Sequence, residues 1–168
     1  MTAWVRLELD LAAFDETPFL PCLDAATAAG VALTTMARLG DGARQRRRLE
    51  ALWARCAADD PGADLSAGVP ERCAAASYDP HGAVVAVEGE HWVGLSVTSL
   101  RPLEGYAFGE MTGVVPERRG RGLAVAMKLE AVRWARSRGH TRLRTFHHPD
   151  NAAAIGLNLR LGATAPSP

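Results

Sequence analysis

The sequence has little cysteine, almost no lysine and no excess of either charge. Its three cysteines, Cys22, Cys56 and Cys73, form no CxxC pair and no even disulfide set, and no histidine or cysteine sits near them at metal-ligand spacing. They read as reduced thiols of a cytosolic protein, with no metal. Nineteen basic residues balance nineteen acidic ones, which removes the broad positive field of a dedicated nucleic-acid binder and confines any anion site to one locality. No apolar run approaches a membrane span, and the first residues lack the basic, apolar and small-residue segments of a secretory signal. Lys128 is the only lysine in the chain.

What is present is enough for a domain of ordinary size. The chain has 168 residues, 48% of them hydrophobic, so one domain can bury a core of its own. Residues 4–11 alternate, with Val5, Leu7, Leu9 and Leu11 on one face and Arg6, Glu8 and Asp10 on the other, as a half-buried strand does. A loop carrying Pro18 and Pro21 leads to a second β-rich run over 30–39. Leu49, Leu52, Trp53 and Cys56 then mark one face of a helix over 43–58, whose Arg44, Arg46, Arg47 and Arg48 read as a solvated face. A loop with one short helical turn follows. Strands are expected at 83–89 and 91–100, joined as a hairpin at Gly89–Glu90, and at 106–115 and 141–148. Between the last two lies a helix over 122–138, apolar on two nearly opposite sides and ended by Gly139. A final helix starts at Asp150 or Asn151, either of which suits an N-cap.

The stretch VPERRGRGLA, residues 115–124, joins a strand to the long helix through glycines and arginines. A helix start leaves several backbone N–H groups without internal acceptors, and its dipole favours negative charge. Gly120 and Gly122 allow close approach of an anion, and Arg119 and Arg121 supply donors suited to phosphate oxygens. The competing reading is a basic surface turn whose glycines serve geometry alone. Neither familiar nucleotide loop fits. No Lys-Ser or Lys-Thr follows the glycines, as a P-loop requires, and Val125 stands where a dinucleotide fingerprint needs its third glycine.

Residues 112–139 closely resemble motif A of the GNAT superfamily of acyl-CoA-dependent N-acetyltransferases, whose R/Q-x-x-G-x-G/A signature is matched by Arg119, Gly122 and Ala124. Residues 145–163 resemble the family's motif B through Asn151 and Leu161-Gly162, and one repeat of the tandem GNAT proteins is the nearest in appearance. The resemblance implies an α/β (α+β) GNAT fold: a mixed, mostly antiparallel sheet flanked by helices. Residues 1–168 would be a single domain, with an N-terminal strand and linker over 1–20 and the acetyltransferase core over 30–163. It further implies that acetyl-CoA lays its pyrophosphate on the amides of Arg119, Gly120, Arg121, Gly122, Leu123 and Ala124. Its pantetheine would run along Val114 and Val115, and Asn151 would contact the arm. A neutral primary amine, expected on a small molecule, would attack the thioester directly, without a covalent enzyme intermediate. The alternative is an acyl-CoA-binding module that does not turn over.

By the same resemblance, Glu110 is the first candidate for the base and His147 a second, equally suited to positioning; Tyr106 and His91 are weaker. Asn158 occupies the place of the tyrosine that protonates the leaving thiolate in many relatives, and an amide cannot act as an acid at neutral pH. Ala163 replaces the usual aromatic after Leu-Gly. The family's two further C-terminal strands do not follow, so residues 4–11 are expected to fill that place beside residues 141–147, within the chain or exchanged in a homodimer. The acceptor pocket is expected from residues 59–80 and 98–108, where Glu71, Asp79 and Glu104 are acidic. No nucleic acid or membrane partner is expected.

Overall fold

The computed structural model describes residues 3–63 and 77–166. Six strands form one sheet: β1 Val5–Asp10, β2 Val31–Thr35, β3 Ala83–Glu88, β4 His91–Arg101, β5 Tyr106–Val114 and β6 Arg142–His147. Their order across the sheet is β1-β6-β5-β4-β3-β2, antiparallel throughout except for β5 against β6. Among the described residues five α-helices accompany them: α1 Leu20–Ala28, α2 Met36–Leu39, α3 Ala43–Ala57, α4 Leu123–Ser137 and α5 Ala152–Arg160. None of the described helices is long and apolar enough to cross a membrane.

Alternation along β1 translates directly into burial. Leu7 and Leu9 are buried while Asp10 is exposed, and the strand pairs with β6 from Val5 opposite His147 to Asp10 opposite Arg142. The expected pairing beside residues 141–147 is therefore made within the chain. On its outer side Glu8 bridges Thr164 through two backbone hydrogen bonds of 2.7 and 2.9 Å.

Three expectations need correction. The segment with Pro18 and Pro21 is not a loop: residues 17–19 form a 3₁₀ turn and residues 20–28 the helix α1. Each proline stands in a first turn, where a missing N–H costs nothing. Residues 36–39 are not a continuation of β2; Thr35 Oγ1 accepts the amide of Arg38 at 3.3 Å and starts a short helix there. The arginine run opening α3 is also not wholly solvated, since Arg46 pairs with Asp41 at 2.6 Å and Arg48 lies over the Trp92 ring.

The sheet is covered on both faces by different helices. Gly94 faces Met127 of α4, and Gly113 faces Cys56 of α3; an added Cβ would come within 2.8 and 2.7 Å of those side chains respectively. Because adjacent strand residues point to opposite faces, Thr112 and Val114 belong to the α4 face and Met111 and Gly113 to the α3 face. The two-sided apolar pattern of α4 serves two cores. Leu123, Ala126 and Met127 pack with β2 to β5, while Val125, Leu129, Val132 and Ala135 pack with Leu7, Leu9, Leu143 and Leu161.

Candidate functional site

The site begins where two parallel strands part. β5 and β6 pair only at Ala107 with Leu143 and Phe108 with Arg144; beyond those residues they diverge. A cavity of about 530 Å³ fills the gap, walled by β5 from Gly109 to Val114, by Thr145 to His147 of β6, by the start of α4 and by α5. One edge of β5 thus lies open to a ligand that pairs as a strand would.

A bulge re-aims β5 at this point. Val97 pairs with Met111 and Thr98 with Gly109, so Glu110 is the extra residue, unpaired in the ladder. Its side chain lies on the α3 face, where Oε1 accepts from Ser99 Oγ and from Arg101 Nη2 at 2.8 Å. The Glu110 side chain is 23% exposed on the cavity wall, and its second oxygen is bonded to no other side chain among the described residues.

His147 sits across the gap on the opposite face of the sheet. Leu143, Thr145 and His147 alternate onto the α4 face, where Asn158 of α5 meets them. Asn158 Nδ2 lies 3.0 Å from His147 Nε2 and 2.8 Å from the Ala154 carbonyl, and Thr145 Oγ1 lies 2.9 Å from the same imidazole nitrogen. An amide nitrogen only donates, so Nε2 accepts and the ring proton belongs to Nδ1. Burial and the nearby Lys128 ammonium push the His147 pKa down to about 4, against a weaker opposing pull from Asp60. The imidazole is therefore neutral at physiological pH.

The turn between β5 and α4 presents its amides as the glycines suggest. Gly120 and Gly122 both adopt left-handed backbone angles, φ 75° and 78°. The first intrahelical bond runs from the Ala126 amide to the Gly122 carbonyl, and the amides from Gly120 to Val125 find no acceptor among the described residues. Gly122 also has Cys22 of α1 against it; a Cβ there would stand 3.1 Å from Sγ. The three arginines divide their work. Arg118 pairs with Glu88 at 2.7 Å, and Arg119 donates Nε to the Val114 carbonyl at 3.0 Å and Nη1 to Asp59 at 2.7 Å. Arg121 is exposed and has no such partner among the described residues.

Most of the residues singled out from the sequence therefore meet at one cavity: Glu110, Val114, Arg119, Gly120, Gly122, Leu123, Ala124, His147, Asn151 and Asn158 all line it. Arg121 and Val115 do not, and the Val115 amide is bonded to the Val93 carbonyl of β4 at 2.9 Å. Asn151, rather than Asp150, caps α5, its Oδ1 accepting the Ala154 amide at 3.0 Å. Glu71 and Cys73 fall outside the described residues, as does most of the 59–80 segment. Cys56 also lines the cavity, but burial pushes its thiol up to about 12, so it is not a nucleophile at neutral pH.

Sequence reasoning passed over Lys128. It lines the cavity at 3% exposure, although a basic residue in a helix ordinarily marks the solvent side. The signal was its position inside a helix that is apolar on both sides.

Comparison with known proteins agrees with this geometry. The Acetyltransferase (GNAT) family model matches residues 46–163. A mycothiol acetyltransferase of Pseudarthrobacter chlorophenolicus is 34% identical over 107 residues, covering 61% of this chain and 32% of that protein. The chain thus spans about a third of the length of such curated relatives. Among solved structures, the GCN5-related N-acetyltransferase from Sphaerobacter thermophilus shares the fold with a TM-score of 0.65 at 17% identity, over 99% of this chain and 50% of that one. A tandem GNAT protein from the clavulanic acid biosynthesis pathway does so at 0.63 and 20%, over 98% and 50%.

Proposed function

This chain belongs to the acetyltransferase (GNAT) family, and from that premise we propose that it transfers an acetyl group from acetyl-CoA to a primary amine on a small molecule. The observation that carries the reading is the run of unpartnered amides from Gly120 to Val125 at the mouth of the cavity between β5 and β6. Those groups suit the pyrophosphate, because they point outward from a helix start and need no reorganisation to receive an anion. The free edge of β5 suits the amides of the pantetheine arm. The relatives favour a small-molecule acceptor, since they are named for mycothiol and not for a protein.

Acetyl-CoA supplies an activated thioester, and this chain supplies position and proton handling. Glu110 takes a proton from the amine, directly or through water, on the α3 side of the gap, a role supported by its position on the cavity wall. Transfer is direct, because the one cysteine on the described cavity wall is held as a thiol. A β5 amide facing the gap acts as the donor to the developing oxyanion.

Calorimetric titration of acetyl-CoA into the wild type and into Arg121→Glu tests this reading. Arg121 is exposed, so the substitution changes charge at the turn without removing a structural contact. Micromolar-range binding, weakened about tenfold or more in the variant, is expected. No binding to a folded wild type would end the acyl-CoA reading. The tyrosine position filled by Asn158 favours a second reading, a binding module without turnover. Release of free CoA thiol in the presence of amino sugars or polyamines distinguishes the enzyme from such a module.

A further inference from the structure

Lys128 is a buried cation on the cavity wall with no countercharge bonded to it among the described residues. It is 3% exposed, and no hydrogen bond or ion pair reaches its ammonium among the described residues. Gly109 makes the room it occupies: a Cβ at that position would stand 3.1 Å from Nζ and 2.9 Å from Thr145 Cγ2. Nζ therefore lies at the point where β5 and β6 separate, on the α4 face of the cavity.

The surrounding groups leave that charge unanswered. From β6 the neighbours are the Thr145 hydroxyl and the neutral His147; from α5 comes the Asn158 amide, already committed to His147 and the Ala154 carbonyl. Asp60, after α3, acts on His147, while Glu110 of β5 is turned to the other face toward Ser99 and Arg101. An unpaired buried ammonium is costly, so a site that keeps one is suited to an anion that appears there transiently. Burial pulls the Lys128 pKa down to about 8, which keeps it protonated at neutral pH and close to the range of a thiol, about 8.5.

We propose that the Lys128 ammonium receives the departing CoA sulfur as a thiolate, supplying a charge where the last helix offers only Asn158. This rests on the acyl-CoA reading above. The amine nitrogen bonds to the thioester carbonyl carbon, the carbon–sulfur bond breaks, and sulfur leaves as a thiolate paired with Nζ, which keeps its protons. The nitrogen loses its proton on the Glu110 side, and that proton passes to solvent. Cation and base thus work from opposite faces of the sheet, so neither neutralises the other.

The test uses free CoA, whose thiol titrates, with desulfo-CoA as the blank. Thiolate absorbance of the bound ligand is followed against pH in the wild type and in Lys128→Met, and protons released on binding are counted calorimetrically in two buffers. In the wild type the bound thiol should ionise about one pH unit or more below free CoA, as a thiol does beside a fixed cation. In Lys128→Met it should titrate at or above the free value, with acetyl-CoA affinity changed less than about threefold, because the thioester carries no charge at sulfur. A wild-type thiol that titrates at or above its free value overturns the proposal, and this measurement needs no variant. So does a depressed value that persists in Lys128→Met. Preference for malonyl-CoA over acetyl-CoA, lost in Lys128→Met, also overturns it, by assigning the cation to the acyl group. Failure to bind CoA at all sinks the acyl-CoA reading itself.

Discussion

Arg119 Nε donates to the carbonyl of Val114, five residues back, at 3.0 Å, closing the turn between β5 and α4 with a side chain. The same guanidinium reaches the Cys56 carbonyl in the last turn of α3 and Asp59 just beyond it. One residue thus ties a strand end, a helix end and the amide-rich turn together. Its planar fork is what permits several acceptors at once.

Arg119→Ala should lower stability by about 1–2 kcal/mol, read as a fall in the urea midpoint at constant slope. The Asp59 contact adds little, because both partners are largely exposed. Arg119→Lys should recover less than half of the loss. A wild-type midpoint in Arg119→Ala would show that the turn closes without it.

The two glycines of the turn should respond differently to alanine. Gly120→Ala meets open space and pays only for its left-handed angle, about 1 kcal/mol. Gly122→Ala carries the same strain and also crowds Cys22 Sγ, so it should cost about 2 kcal/mol or more. Adding Cys22→Ala to Gly122→Ala should remove the difference. If thermal melts rank the two single variants equally, the contact with α1 is immaterial.

His147 makes stability depend on pH. Its folded pKa, about 4, lies below the ordinary 6.5, so the unfolded chain binds more protons between those values. Stability from this group is present in full above about pH 6.5 and is lost as pH falls toward 4, on the order of 2 kcal/mol. Urea midpoints measured across that window should converge with those of His147→Asn at the acid end. A gap between the two proteins that is constant with pH would refute the buried neutral imidazole.

Lys128→Met should make the protein more stable at pH 7, on the order of 2 kcal/mol, since it removes a charge held in an apolar setting. The sign follows from a folded pKa of about 8 against 10.5 in the unfolded chain. The penalty is present below pH 8 and fades as pH rises toward 10.5, so the gain should shrink over that range. Thermal unfolding at pH 7 and pH 10 measures it, and a destabilised variant at pH 7 would mean that the ammonium has a partner.

Local patterns carried much of this far. The alternation of β1, the hairpin turn at Gly89 and the doubly apolar α4 are each read from a few adjacent residues and recur in the structure. The glycine turn was legible because left-handed angles and free amides follow from residue type. Less was visible where position decides. Pro21 reads as a loop residue until it is seen in the first turn of α1, and Lys128 as a solvent residue until β5 and β6 diverge above it. The separation of Glu110 and His147 onto opposite faces rests on which strands are neighbours, and no single segment encodes that.

The extra residue in β5 leaves the parity of the strand intact. Before the bulge, Ala107 and Gly109 face α4 while Tyr106 and Phe108 face away; after it, Thr112 and Val114 face α4. Without Glu110, Gly109 would be followed directly by Met111, and both halves of the strand would pair one-to-one with β4 while every remaining side chain kept its present face. Neither half of the core needs the added residue. A chain one residue shorter at this point would keep both packed layers and lose only the carboxylate on the cavity wall, so the irregularity in the ladder serves the site and not the scaffold.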